Sequence, residues 1–100
     1  MNLKKLKYFK VAAQELNFKR AAEKLYVDQS SISRAVQDLE SRLGVSLFER
    51  NLRWLKLTEH GNILVQEVDH ILCLVDSINH RIKSSKKNSQ TQLNSLFHRT

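Results

Sequence analysis

FKRAAEKLYVDQSSISRAVQDLESRL, residues 18–43, carries two short amphipathic helical patterns separated by three residues. Apolar Phe18, Ala21, Ala22 and Leu25 recur at three- and four-residue intervals, and Ile32, Val36, Leu39 and Leu43 repeat the spacing after a break at Tyr26–Asp28. Two crossed helices are expected, each with one buried stripe. In the second, Ser30, Ser33, Arg34 and Gln37 share a face that has no apolar residue. Asp28 suits the N-cap position, where its carboxylate can accept from the free N–H groups of the first turn. That helix is then expected to begin at about Gln29, with Gln29 and Ser30 at its exposed end. In helix-turn-helix proteins this end reaches the base edges of DNA.

Upstream, Leu3, Leu6, Phe9, Ala13 and Leu16 form a helical stripe, with Lys4, Lys5, Lys7 and Lys10 on the other faces. Asn17 ends that helix or opens the next connection, since Asn favours caps and turns. Downstream, Gly44 supplies a left-handed stop after Leu43, and Val45, Leu47 and Phe48 return to the core. From Phe48 to Leu57 the helical period fails. Leu55 and Leu57 alternate with Trp54 and Lys56, which suits a short strand paired with Phe48–Arg50, its hairpin tip near Asn51–Arg53.

Thr58 is placed to cap a fourth helix through its hydroxyl, with Glu59 favourable at the positive helix end. Leu64, Val68, Ile71, Val75, Ile78 and Ile82 then follow at alternating spacings of four and three. That is a heptad seam. A helix of some 25 residues, roughly 37 Å long at 1.5 Å per residue, exceeds what one small domain covers, so these six residues are the expected dimer interface. After Lys83 the composition turns to Ser, Lys, Asn, Gln and Thr, and residues 84–92 are expected to be flexible. Leu93, Leu96 and Phe97 could make one further apolar turn.

The chain has 100 residues, room for one domain with a modest core. Its net charge of +7 is uneven. Residues 1–58 hold twelve Lys/Arg against six Asp/Glu, residues 59–83 two against four, and residues 84–100 three against none. A basic module beside a mildly acidic helix suits phosphate binding by the first and protein association by the second, although such charge can also merely solvate a domain. Cys73 is the only cysteine, so an intramolecular disulfide is excluded and a reducing, cytoplasmic location is expected. No apolar run approaches the roughly 20 residues that span a bilayer, and no membrane partner is expected.

Taken in order, these pieces resemble the N-terminal DNA-binding region of the LysR-type transcriptional regulators. The likeness is carried by Leu6-Lys7-Tyr8-Phe9, by Phe18 with Arg20-Ala21-Ala22 and Leu25, and by Val27-Asp28-Gln29-Ser30 with Ser33-Arg34. It continues through Leu39-Glu40, Leu43-Gly44-Val45, Leu47-Phe48-Glu49-Arg50 and Leu57-Thr58-Glu59 with Gly61. The resemblance implies a mainly α winged helix-turn-helix, three helices plus a small β-hairpin wing, followed by a long dimerisation helix. It implies that the third helix lies in the major groove and the wing nears the adjacent minor groove. Gln29, Ser30, Ser33, Arg34 and Gln37 would then face bases and phosphates, with Arg50 and Arg53 at the wing. Their chemistry fits, because Gln pairs in two places with adenine, Arg with guanine or a narrow minor groove, and Ser with either base or phosphate.

Three positions depart from the family pattern. Ser30 stands where a Pro often opens the third helix. Lys19 stands where a Ser or Thr commonly caps the second, so that helix start is expected to shift or fray. Leu52 and Trp54 occupy a wing that is usually more polar; Trp54 is read as wing core, with contact to DNA sugars and an exposed partner patch as alternatives.

The domains expected are a DNA-binding module over 1–58, a linker and dimerisation helix over 59–83, and a flexible basic tail over 84–100. The function expected is sequence-specific binding of double-stranded DNA by a dimeric transcription regulator, with no effector-sensing domain and no small-molecule effector in this chain. Mixed dimers with full-length relatives, or non-specific DNA binding, are the alternatives. No enzyme is expected, since no Gly-rich phosphate loop or spaced catalytic set occurs. No cofactor or metal is expected either: His70 and Cys73 are too few ligands for a structural zinc, and His60 and His98 read as solvated.

Overall fold

The computed structural model describes residues 1–98, with side chains through Lys86. Helix α1 (Leu3–Glu15) begins at Asn2, whose Oδ1 accepts from Lys5 N at 2.8 Å. It stops at Leu16, which adopts a left-handed φ of 48° and returns its N–H to Ala12 O. Helix α2 (Phe18–Leu25) begins at Asn17, whose Oδ1 accepts from Arg20 N at 3.0 Å. This corrects the expectation built on Lys19: the cap lies two residues earlier, so the first turn neither shifts nor lacks a partner. Tyr26 ends α2 at φ 56°.

Helix α3 (Gln29–Leu43) starts where the sequence placed it, but Asp28 works differently. The carboxylate makes no cap hydrogen bond; only the Asp28 carbonyl takes part, accepting from Ser31 N at 3.0 Å. Gly44 closes α3 at φ 70°, its N–H donating to Glu40 O.

Strands β1 (Phe48–Arg50) and β2 (Leu55–Leu57) pair antiparallel, Phe48 opposite Leu57 and Arg50 opposite Leu55. Asn51 builds the connection. Its Oδ1 accepts from Arg53 N at 2.8 Å and Trp54 N at 2.9 Å, and its own N–H donates to Trp54 O. Trp54 is 48% exposed, which corrects its reading as wing core. The hairpin has only three residues per strand, and Phe48, Leu55 and Leu57 already occupy its inner face.

Thr58 caps helix α4 (Glu59–His98) as expected: its Oγ1 accepts from Gly61 N at 3.0 Å and donates to Ser46 O at 2.6 Å. Gly61 is buried, and a Cβ there would enter the van der Waals envelope of the Leu47 carbonyl and of Leu57 Cδ2. Helix α4 runs on to His98 rather than stopping at Lys83. No Gly or Pro interrupts residues 84–98, and polar residues lower helix propensity without forbidding the conformation. The proposed apolar turn of Leu93, Leu96 and Phe97 and the end of the basic tail lie outside the described side chains.

The chain divides into two compact units, Met1–Asp69 and the part of α4 from His70 onward. In the first, Leu6, Phe9, Ala12 and Ala13 of α1 join Ala21 and Ala22 of α2, and Ile32, Ala35, Val36 and Leu39 of α3, in one core. Phe48 caps that core, its ring centroid 5.6 Å from Phe9 and 5.4 Å from Phe18, the latter edge-on. Val68 is fully buried within this unit, which corrects its place in the dimer seam: that heptad position is used inside the protomer. In the second unit Ile71, Leu74, Ile78 and Ile82 are exposed.

Candidate nucleic-acid interface

The outward face of α3 is polar along its length. Gln29, Ser30, Arg34 and Gln37 are exposed and Ser33 is half-buried, while Ile32, Ala35, Val36 and Leu39 on the opposite face are in the core. Arg34 Nε donates to Ser30 O at 3.3 Å, which lays the guanidinium back along the helix toward its N-terminal end.

A groove lies on each flank of this face. One, of about 480 Å³, gathers Gln29 and Ser33 of α3 with Lys19 of α2 and Arg50, Arg53 and Trp54 of the hairpin. Four of the sequence-predicted contacts therefore meet in a single depression. The other, of about 460 Å³, joins Arg34 and Ser31 to Lys4, Lys5 and Tyr8 at the start of α1. Ser30 and Gln37 lie on the exposed face but line neither groove.

Sequence reasoning missed Lys4, Lys5 and Lys19 as members of this surface. The signal was present in the run of lysines on α1, but that run has the same appearance as a solvated helix face until α1 is placed beside α3. The charges are not equivalent. Lys5 Nζ is 2.6 Å from Asp38 Oδ2, and Arg42 Nε is 3.1 Å from the same oxygen. The hydrogen bond from Lys5 holds the Asp38 carboxyl below the usual aspartate range, with desolvation opposing and the Arg42 charge assisting. Lys4, by contrast, lies over the Tyr8 ring at 5.8 Å from its centroid.

The two wing arginines also differ. Arg50 Cζ stands 4.9 Å above the Phe18 ring and its Nη2 is 3.5 Å from Glu40 Oε1, so its guanidinium helps seat the hairpin. Arg53 is exposed at the tip, fixed through its backbone by Asn51.

Residues 3–62 match the model of the bacterial regulatory helix-turn-helix proteins of the lysR family. The chain belongs to the LysR family. This LysR-family chain is 46% identical over 72 residues to the Hca operon transcriptional activator HcaR of Escherichia coli K12, covering 72% of the chain and 24% of that relative. It is 45% identical over 74 residues to a probable RuBisCO transcriptional regulator of Emiliania huxleyi, covering 74% of the chain and again 24% of the relative. The chain thus spans about a quarter of the length of these relatives. Among solved structures, the DNA-binding domain of CbnR in complex with DNA superposes with a TM-score of 0.82 at 36% identity, covering 86% of this chain and 99% of that one. The winged helix-turn-helix with its following long helix is therefore the LysR-type DNA-binding architecture, in a family of DNA-binding transcription regulators rather than enzymes.

Elsewhere on the first unit of the LysR-family chain, Leu43, Val45, Leu47, Ile63 and Leu64 line an apolar depression of about 250 Å³ edged by His60 and Glu67. Leu64 of the predicted seam is half-buried there; Val75 in the second unit is also half-buried. Among the described residues no group of three or more His, Cys, Asp or Glu is placed to hold a metal, and no helix is long and apolar enough to cross a membrane.

Proposed function

We propose that this chain reads double-stranded DNA sequence as a dimer, with α3 in the major groove and the hairpin at the neighbouring minor groove. The observation that carries the reading is the continuous polar face of α3, bordered on both flanks by grooves that bring in lysines and arginines. Gln29, Ser33 and Arg34 face base edges; Ser30 and Gln37 contact bases or phosphates beside them; Arg50 and Arg53 serve the wing. Residues 1–58 form the DNA-reading module and α4 from Glu59 the dimerisation helix. Leu64, Ile71, Val75, Ile78 and Ile82 form the seam; the exposure of Ile71, Ile78 and Ile82 supports this role, because apolar side chains at heptad spacing gain most by packing on a partner. The dimer acts in the cytoplasm on a site with two-fold related halves, spaced by about one helical turn or a multiple of it.

Selection of bound duplexes from a random library, followed by binding titrations at several salt concentrations, tests this. A two-fold related motif bound far more tightly than scrambled duplex is expected. Equal affinity for both, with one salt slope, would leave only non-specific binding. The same exposed seam also favours mixed dimers with other LysR-family chains. Subunit exchange on mixing with such a relative, followed by mass, distinguishes the two assemblies.

A further inference from the structure

The hairpin tip presents an apolar pair where a DNA-binding face is otherwise polar. Leu52 is completely exposed and Trp54 is 48% exposed, with Arg53 between them. The three hydrogen bonds made by Asn51 hold this tip in one shape, so it is displayed rather than left loose. The groove that it borders contains Lys19, Arg50 and Arg53 and no acidic residue, and continues directly to Gln29 and Ser33 on α3. An occupant of this surface must be anionic and must also offer apolar edges. The minor groove of a duplex does both, with deoxyribose walls between two rows of phosphates, and architectural proteins insert Leu and similar side chains there.

We infer that Leu52 and Trp54 form an apolar wedge that enters the minor groove of the same duplex that α3 reads, Leu52 against the deoxyribose edges and Trp54 along one wall. This rests on the DNA-reading function above and adds a specificity element to it. Arg53 supplies the charge and the wedge supplies shape, so base steps under the tip are chosen by how readily they open or bend.

Trp54 is the only tryptophan in the chain, which gives the wedge its own signal. A fluorescein-labelled duplex, recovered by selection with this chain, is titrated while label anisotropy and tryptophan emission are both recorded. Emission is expected to change with the same midpoint as anisotropy. Leu52→Ser is expected to lose about tenfold in affinity with an unchanged salt slope, as when one Leu-sized apolar surface is no longer buried. Arg53→Ala is expected instead to reduce the slope by about one.

Normal anisotropy with unchanged tryptophan emission, and Leu52→Ser binding as tightly as the parent, would overturn the wedge while leaving DNA reading intact. Failure to recover or bind any duplex would overturn both. Unchanged DNA affinity in Leu52→Ser together with a smaller mass in sedimentation would assign the tip to protein contact instead.

Discussion

Glu40 Oε2 accepts the backbone N–H of Leu47 at 2.8 Å, and the same carboxylate lies against Arg50 through Oε1 at 3.5 Å. A single side chain of α3 thereby fixes both the loop that leaves the helix and the strand that begins the wing. The angle between the helix face and the hairpin depends on this, because Leu47 is fully buried and its N–H has no access to water.

Glu40→Ala is expected to destabilise the fold by about 1.5–3 kcal/mol, the range for losing a hydrogen bond to a charged group. Glu40→Gln keeps an acceptor for Leu47 and should lose less. Urea denaturation of the three proteins checks the order, and an Ala variant as stable as the parent would show that the carboxylate ties nothing.

Gly61→Ala tests the close approach of α4 to the wing. On an exposed helix the change would stabilise, since Ala is the better helix former. Here the added methyl meets the Leu47 carbonyl, a backbone atom that also accepts from Thr58 N, so it cannot simply move aside. A loss of at least about 1–3 kcal/mol is expected from overpacking, read by thermal denaturation.

Much of this was legible in the chain because helical period and cap chemistry are local. The stripes of α1 to α3, the stop at Gly44, the wing and the Thr58 cap all follow from residues within a few positions of one another. What was not legible depends on contacts distant in sequence. Phe48 meets Phe9 and Phe18 across the fold, and Glu40 and Arg50 meet only once β1 is seated. Val68 fits a heptad as well as Ile71 does, and only the burial of its own unit separates them. Trp54 looked like core because aromatic residues in strands usually pack, but a hairpin of three-residue strands leaves no room under its tip.

Asp38 links α1 and α3 through Lys5, and its depressed pKa makes that link pH-dependent. The folded state binds this proton less readily than the unfolded chain, so the contribution is fully present above the ordinary aspartate value and disappears as pH falls through the lower folded value. Asp38→Asn is expected to flatten the stability profile in that acid window and leave its shape near neutrality unchanged. Denaturation of both proteins across the acid range checks it; parallel profiles would exclude Asp38 as a contributor.

Arg34 stands on the opposite flank of α3 from the wing, with Lys4 and Lys5. Arg34→Ala is expected to weaken binding to a selected site by about 1–3 kcal/mol and to relax the preference at one base position. An equal loss on random duplex would make Arg34 a phosphate contact.

Tyr26 is held at φ 56° yet is 95% exposed, so it bears the cost of a left-handed backbone without burying its ring. An L-residue in that conformation costs about 1–2 kcal/mol. Gly removes this cost but gives about 0.4–1 kcal/mol back through the greater freedom of the unfolded chain. Tyr26→Gly is therefore expected to stabilise the fold by roughly 1 kcal/mol, an unusual sign for losing an aromatic residue. Leu16 is the control, with φ 48° but only 44% exposure. Relief of strain at Leu16→Gly is offset by lost packing, and a smaller gain or a net loss is expected. If Tyr26→Gly melts lower than the parent, the ring must make a stabilising contact that its exposure does not reveal.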